Sequence, residues 1–159
     1  MSQQQKLIGT MERLLKLHKS LYELAVKKTD IVINGDMDAL NQTLKDEQVH
    51  LAAMNKLEQQ RQQLARVLVP EVDQPSLSDC LDVVDRKDWV TLDRLRSELL
   101  DVIVEIRQRN DLNQKMIYQS LQFVNLSLNL VAPQPEEFNY GPSTQMNKPA
   151  STTLFNRKA

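Results

Sequence analysis

Residues 30–40 read Asp-Ile-Val-Ile-Asn-Gly-Asp-Met-Asp-Ala-Leu, and the Asn34-Gly35-Asp36 at their centre decides how the first half of the chain folds. Gly35 lacks a Cβ and takes the left-handed backbone that ends helices, and the Asp36 carboxylate accepts from free N–H groups of a helix that follows. Before this break, Leu7, Met11, Leu14, Leu17, Leu21, Leu24 and Ile31 recur at spacings of three, four and seven, one stripe of an amphipathic helix. After it, Met37, Leu40, Leu44, Leu51, Met54, Leu57, Leu64 and Leu68 form the stripe of a second helix. That helix stops at Pro70, which has no N–H to donate and restricts the residue before it. A connector this short forces the two helices to run antiparallel.

Residues 70–91 are less regular. Pro75-Ser76 starts a short helix through Val84 with Leu77, Leu81 and Val84 as its apolar positions. A third long helix is expected from about Thr91 to Val131, with Leu92, Leu95, Leu99, Ile103 and Ile106, then Asn110 and Asn113, then Ile117, Leu121, Val124, Leu128 and Val131 in its seam. Val124–Leu130 also alternates with period two, as a strand does, but no breaker separates it from the preceding helix. A helix of about forty residues is roughly 60 Å long, whereas a compact domain of this size is about 40 Å across. The expected fold is therefore all-α: an elongated antiparallel bundle or coiled coil of three long helices plus a short one in residues 1–132. Four prolines with Ser, Thr, Asn and Gln then mark residues 133–159 as a flexible tail, expected to be disordered.

Composition excludes several classes of function. The chain of 159 residues has 20 basic and 21 acidic side chains, which argues against non-specific nucleic-acid binding, because that needs clustered positive charge. One cysteine, Cys80, leaves no internal disulfide and fits a reducing compartment. The N-terminus shows no secretory signal. The protein reads as cytoplasmic, with no membrane insertion.

Of the 41 charged residues, 36 precede Met116, and the run from Met116 to Pro135 carries none. It is long enough to span a bilayer, but about half of it is polar, and Asn, Gln and Ser are costly in hydrocarbon. A helix face that has hydrogen-bonding groups but no charge suits covering by another protein. Ile117, Leu121, Val124, Leu128 and Val131 make the stripe that the bundle requires, and Met116, Phe123, Leu126 and Leu130 make a second stripe that needs a different cover. The bland alternative is that both stripes are buried within this chain or a homodimer.

No catalytic assembly is complete. Glu47-Gln-Val-His50 is half of a di-iron carboxylate site, but three positions before His18, the other histidine, stands Leu15. Both histidines read as seam or boundary residues, and no metal or cofactor is expected. There is no phosphate-binding glycine loop, nucleophile elbow or zinc-spaced cysteine pair, and the chain reads as a non-enzyme.

Asp46-Glu47-Gln48, Leu51, Met54, Leu57-Glu58 and Arg61 resemble the second helix of the FlgN family, the flagellar export chaperones. Asn110-Asp-Leu-Asn113 before the uncharged helix and Pro133 resembles that family's last helix. Phe138-Asn-Tyr140-Gly141-Pro-Ser-Thr-Gln145 resembles its tail, with Thr144 where some relatives have a second glycine. The closing Leu154-Phe155 and Lys158-Ala159 resemble the end of Gram-positive members. The resemblance implies a cytoplasmic helical chaperone that binds the C-terminal ends of hook–filament junction proteins of the FlgK and FlgL type and brings them to the flagellar export gate. It implies a cargo surface within residues 112–131, carried by Leu112, Met116, Phe123, Leu126 and Leu130, and a gate contact carried by Phe138, Tyr140 and Gly141. The alternative expectation is a structural coiled-coil homodimer or adaptor without export cargo.

Overall fold

A computed structural model describes residues 1–131, except the side chains at 123, 124, 126, 127, 130 and 131. Four helices occur in order: α1 (Gln3–Asn34), α2 (Met37–Leu68), α3 (Leu77–Leu81) and α4 (Arg86–Val131). No strand occurs among the described residues, and the period-two stretch near the end of α4 has helical backbone. The expected tail, 133–159, lies outside them.

Each start is set by a side chain that satisfies the free N–H groups of a first turn. Ser2 and Gln5 form a reciprocal capping box at α1, and Ser76 and Asp79 repeat it at α3. The Asp36 Oδ1 accepts from Ala39 N at 3.0 Å, and the Asp85 Oδ1 accepts from Asp88 N at 2.9 Å. The Asp85 cap starts α4 at Arg86, earlier than the expected Thr91, because Asp85 meets the N–H groups before the apolar stripe begins. Gly35 closes α1 with φ 69°, the left-handed value foreseen for it.

Met1–Asn110 forms the first compact unit. Within it, α1 and α2 are antiparallel: Lys28 meets Glu47, and the earlier Ser20 meets the later His50. The core gathers Leu7, Met11, Leu14, Leu15 and Leu21 of α1 with Ala65 and Val69, then Cys80 and Leu81, then Leu92, Leu95, Val102 and Ile106 of α4. Met11 and Leu14 line a common cavity with Arg96 and Leu99, and further along both helices Arg109 donates to Thr29 Oγ1 at 3.4 Å, so α4 runs in the same direction as α1. The unit is thus an up-down-up arrangement of three long helices with the short α3 in its connection.

The stripe expected for α2 needs correction. Met37, Leu44 and Leu51 are exposed, while Thr43 is buried and Glu47 and His50 are half-buried. The inward face of this half is polar because its partners on α1 are polar. Lys28 Nζ donates to both carboxylate oxygens of Glu47 at 3.0 Å. The Asp46 carbonyl can only accept, so His50 donates from Nδ1 at 2.8 Å, and its Nε2 is hydrogen-bonded to the Ser20 hydroxyl at 2.8 Å. Thr43 and Thr29 return their hydroxyls to the carbonyls of Ala39 and Ala25, which satisfies these donors within their own helices.

Two measurements follow from this packing. The Lys28 and Glu47 side chains keep only 13% and 15% of their exposure. Lys28→Met alone leaves a largely buried carboxylate unpaired and is expected to cost about 2 kcal/mol in urea unfolding, whereas Lys28→Met with Glu47→Leu returns to within about 1 kcal/mol of the parent. Burial pushes the Cys80 thiol up, Arg61 opposing and Asp79 adding to it. The folded chain therefore holds the thiol proton more tightly than the unfolded one, and stability is full below the ordinary thiol value and declines as pH rises above about 8.5. Ellman's reagent should label Cys80 slowly in the native protein and at once after denaturation; fast native labelling would contradict its place in the core.

Candidate protein-binding surface

The functional candidate is the last part of α4. No charged residue follows Lys115 in this helix, because the sequence from Met116 supplies only apolar, amide, hydroxyl and phenol groups. At 3.6 residues per turn, positions 112, 116, 123, 126 and 130 fall within an arc of roughly 80°. Positions 117, 121, 124, 128 and 131 occupy a second arc of similar width, about 140° away.

The second arc was expected to pack the bundle, and this is corrected. Leu121 is 47% exposed and Leu128 is 55% exposed, with Ile117 half-buried. Among the described residues, the apolar α4 members of the core run from Leu92 to Ile106, and Asn113, placed in the seam by its spacing, is buried further along the helix.

Among the expected cargo residues, Leu112 is exposed and Met116 is half-buried. Phe123, Leu126 and Leu130 lie on the helix backbone, and their side chains are outside the described residues. Phe138, Tyr140 and Gly141 are outside them entirely. Sequence reading passed over Tyr118, which is 56% exposed within the uncharged run. Its signal was available: a Tyr ring carries a large apolar area and a polar tip, the amphipathic character favoured at interfaces.

Gln119, Ser120, Gln122, Asn125 and Asn129 are also exposed and supply donors and acceptors between the apolar positions. Such a surface has no group for proton transfer at neutral pH, and its chemistry is that of burial and hydrogen bonding against another polypeptide. Elsewhere the possible reactive groups are engaged. Glu47 is held by Lys28, and His50 by Ser20 and the Asp46 carbonyl. No group of three or more His, Cys, Asp and Glu that could hold a metal ion occurs among the described residues. No helix among them is long and apolar enough to cross a membrane.

Comparison with known proteins gives a family to this helical chain. One relative, the Bacillus subtilis (strain 168) protein named "Uncharacterized protein YvyG", is 26% identical over 155 residues, which cover 96% of this chain and 97% of the relative. No solved structure matches. The sequence profile of the family described as FlgN protein matches residues 1–148, nearly the whole chain. The family implies a role as a flagellar export chaperone, and the chain is a member of the FlgN family.

Proposed function

We propose that this chain is a cytoplasmic chaperone of flagellar type III export that binds the C-terminal helical ends of hook–filament junction proteins of the FlgK and FlgL type and delivers them to the export gate. The observation that carries this reading is the exposed end of α4, uncharged from Met116 onward, where Tyr118, Leu121 and Leu128 are open to solvent, with Leu112 exposed just before it. An amphipathic cargo helix laid along it buries apolar area on both partners, and the amides between take up polar groups at the edge. Because the surface holds no charge, docking leaves no buried ion without a partner. Modest affinity then allows release, since affinity depends on the quality of a few anchors more than on area. We assign cargo contact to Leu112, Met116, Phe123, Leu126 and Leu130, and gate contact to Phe138, Tyr140 and Gly141.

A second reading, a permanent homodimer, draws on the same exposure of Leu121 and Leu128, since an uncovered second arc also suits a second copy. Calorimetry with C-terminal peptides of FlgK- and FlgL-type proteins separates the two. Phe123→Glu with Leu130→Glu is expected to weaken cargo binding by roughly tenfold or more, since each places a charge in an apolar interface. Unchanged affinity removes that stripe from the cargo site. A stable dimer in sedimentation that ignores the peptides establishes the homodimer instead. Truncation after Pro133 should preserve cargo affinity and abolish export of the junction proteins from cells, and retained export would show that the tail has no part in gate docking.

A further inference from the structure

The end of α4 is apolar over more of its circumference than one partner helix covers. The arc that holds Leu112 and Met116 and the arc that holds Leu121 and Leu128 are centred about 140° apart. On the shorter way round, only Ser120 and Ser127 separate them, and both are small and uncharged. From Met116 onward this continuous face takes up about 220° of the helix, with Gln119 as its one amide. Asp111 and Lys115, the last charged residues of α4, fall with Gln122, Asn125 and Asn129 on the remaining side. The charges thus stand away from both arcs, as they must if both become buried.

Both arcs are open along this stretch. The second is buried at Asn113, half-buried at Ile117 and exposed at Leu121 and Leu128. On the first, Leu112 is exposed and Met116 is half-buried. An amphipathic helix meets its neighbour through a stripe roughly 100° wide. One cargo helix seated on either arc therefore leaves the other in water.

Resting on the cargo reading of this surface, we propose that a single cargo end supplies two helices, one for each arc, and so wraps α4. Packed helix axes lie roughly 8–10 Å apart, so two helices placed 140° apart around α4 have axes about 17 Å from each other and do not pack together. The segment that joins them crosses this gap without helix, which takes at least about five residues at roughly 3.3 Å each. From Met116 to Val131 α4 offers about four turns, matched by two cargo helices of about fifteen residues each. The recognised end is therefore about 35 residues long. Its two apolar stripes carry no Lys, Arg, Asp or Glu, because neither arc offers an ion a partner. Tethering lets individually weak contacts suffice, since the first helix to dock holds the second at roughly millimolar effective concentration.

The experiment uses the full chain labelled with ¹³C at its leucine and methionine methyls. Leu112 and Met116 report on the first arc, and Leu121 and Leu128 on the second. The probes are the last 35 or so residues of a FlgK-type protein, about two helices and their link, and the two halves of that peptide. The long peptide should bind one per chain and shift all four signals. Each half should shift one pair only and bind at least roughly tenfold more weakly. Leu121→Glu with Leu128→Glu should weaken the long peptide at least about tenfold. The half that marks Leu112 and Met116 should bind this variant unchanged, which also shows that it is folded. A one-to-one complex that shifts one pair alone, two peptides per chain, or full affinity in the double variant would overturn the proposal. So would peptide-free dimers that the double variant dissolves, or a shift of Leu121 on truncation after Pro133, since a second copy or the chain's own tail then covers the second arc. Absence of binding by every peptide removes the cargo reading itself, whereas binding on one arc alone keeps that reading and removes only the two-helix cargo.

Discussion

One leucine-rich seam holds the first unit together, and everything else is placed by it. Leu7, Ala65 and Leu92 lose all solvent contact within a single core, one residue from each long helix. None of these helices carries more than a stripe of apolar residues, so each depends on the others for burial. Ala65 matters through its smallness, because a bare methyl lets the backbones approach and leaves room for the larger leucines of α1 and α4. The connection through α3 seals this end with Cys80 and Leu81.

Along the hairpin the seam changes character, and that change governs what the surface offers. From Ser20 onward the contacts of α1 with α2 include a histidine–serine hydrogen bond and an ion pair, beside threonines that return their hydroxyls to carbonyls of their own helices. Polar seams stabilise less than apolar ones, but they specify register, because Lys28 and Glu47 satisfy each other only when aligned. Putting Thr43, Glu47 and His50 inward turns Leu44 and Leu51 outward. The exposed leucines of α2 thus follow from the polar inner face.

The hairpin was legible in the sequence because its signals are local. A glycine that stops one helix and an aspartate that caps the next act within four residues, and the structure has both. The stripe of α1 was legible too, since Leu7, Met11, Leu14 and Leu21 face the core as their spacing demands. The candidate surface was legible in part. Loss of charge after Lys115 is a property of the residues themselves, but the division of the run into a buried and a spare stripe was not. Leu121 and Leu128 share the seam's spacing with Leu92 and Leu95, and periodicity does not say which positions of a stripe are buried.

By itself, the sequence determined that the protein is made of helices, where the first hairpin turns, and that its last helix ends in an uncharged run. These depend on interactions between residues a turn apart. The short helix, by contrast, ends at Leu81 before the expected Val84, and α4 begins before the expected Thr91. Only the tertiary structure decided that Thr43 and not Leu44 faces α1, that Leu121 and Leu128 stand open, and that Arg96 keeps a buried N–H without an acceptor. Adjacent positions differ by about 100° around a helix, so a modest rotation about its axis exchanges which of them is buried. That rotation is set by the shapes and charges of all the partner helices together, which no single stretch of sequence contains.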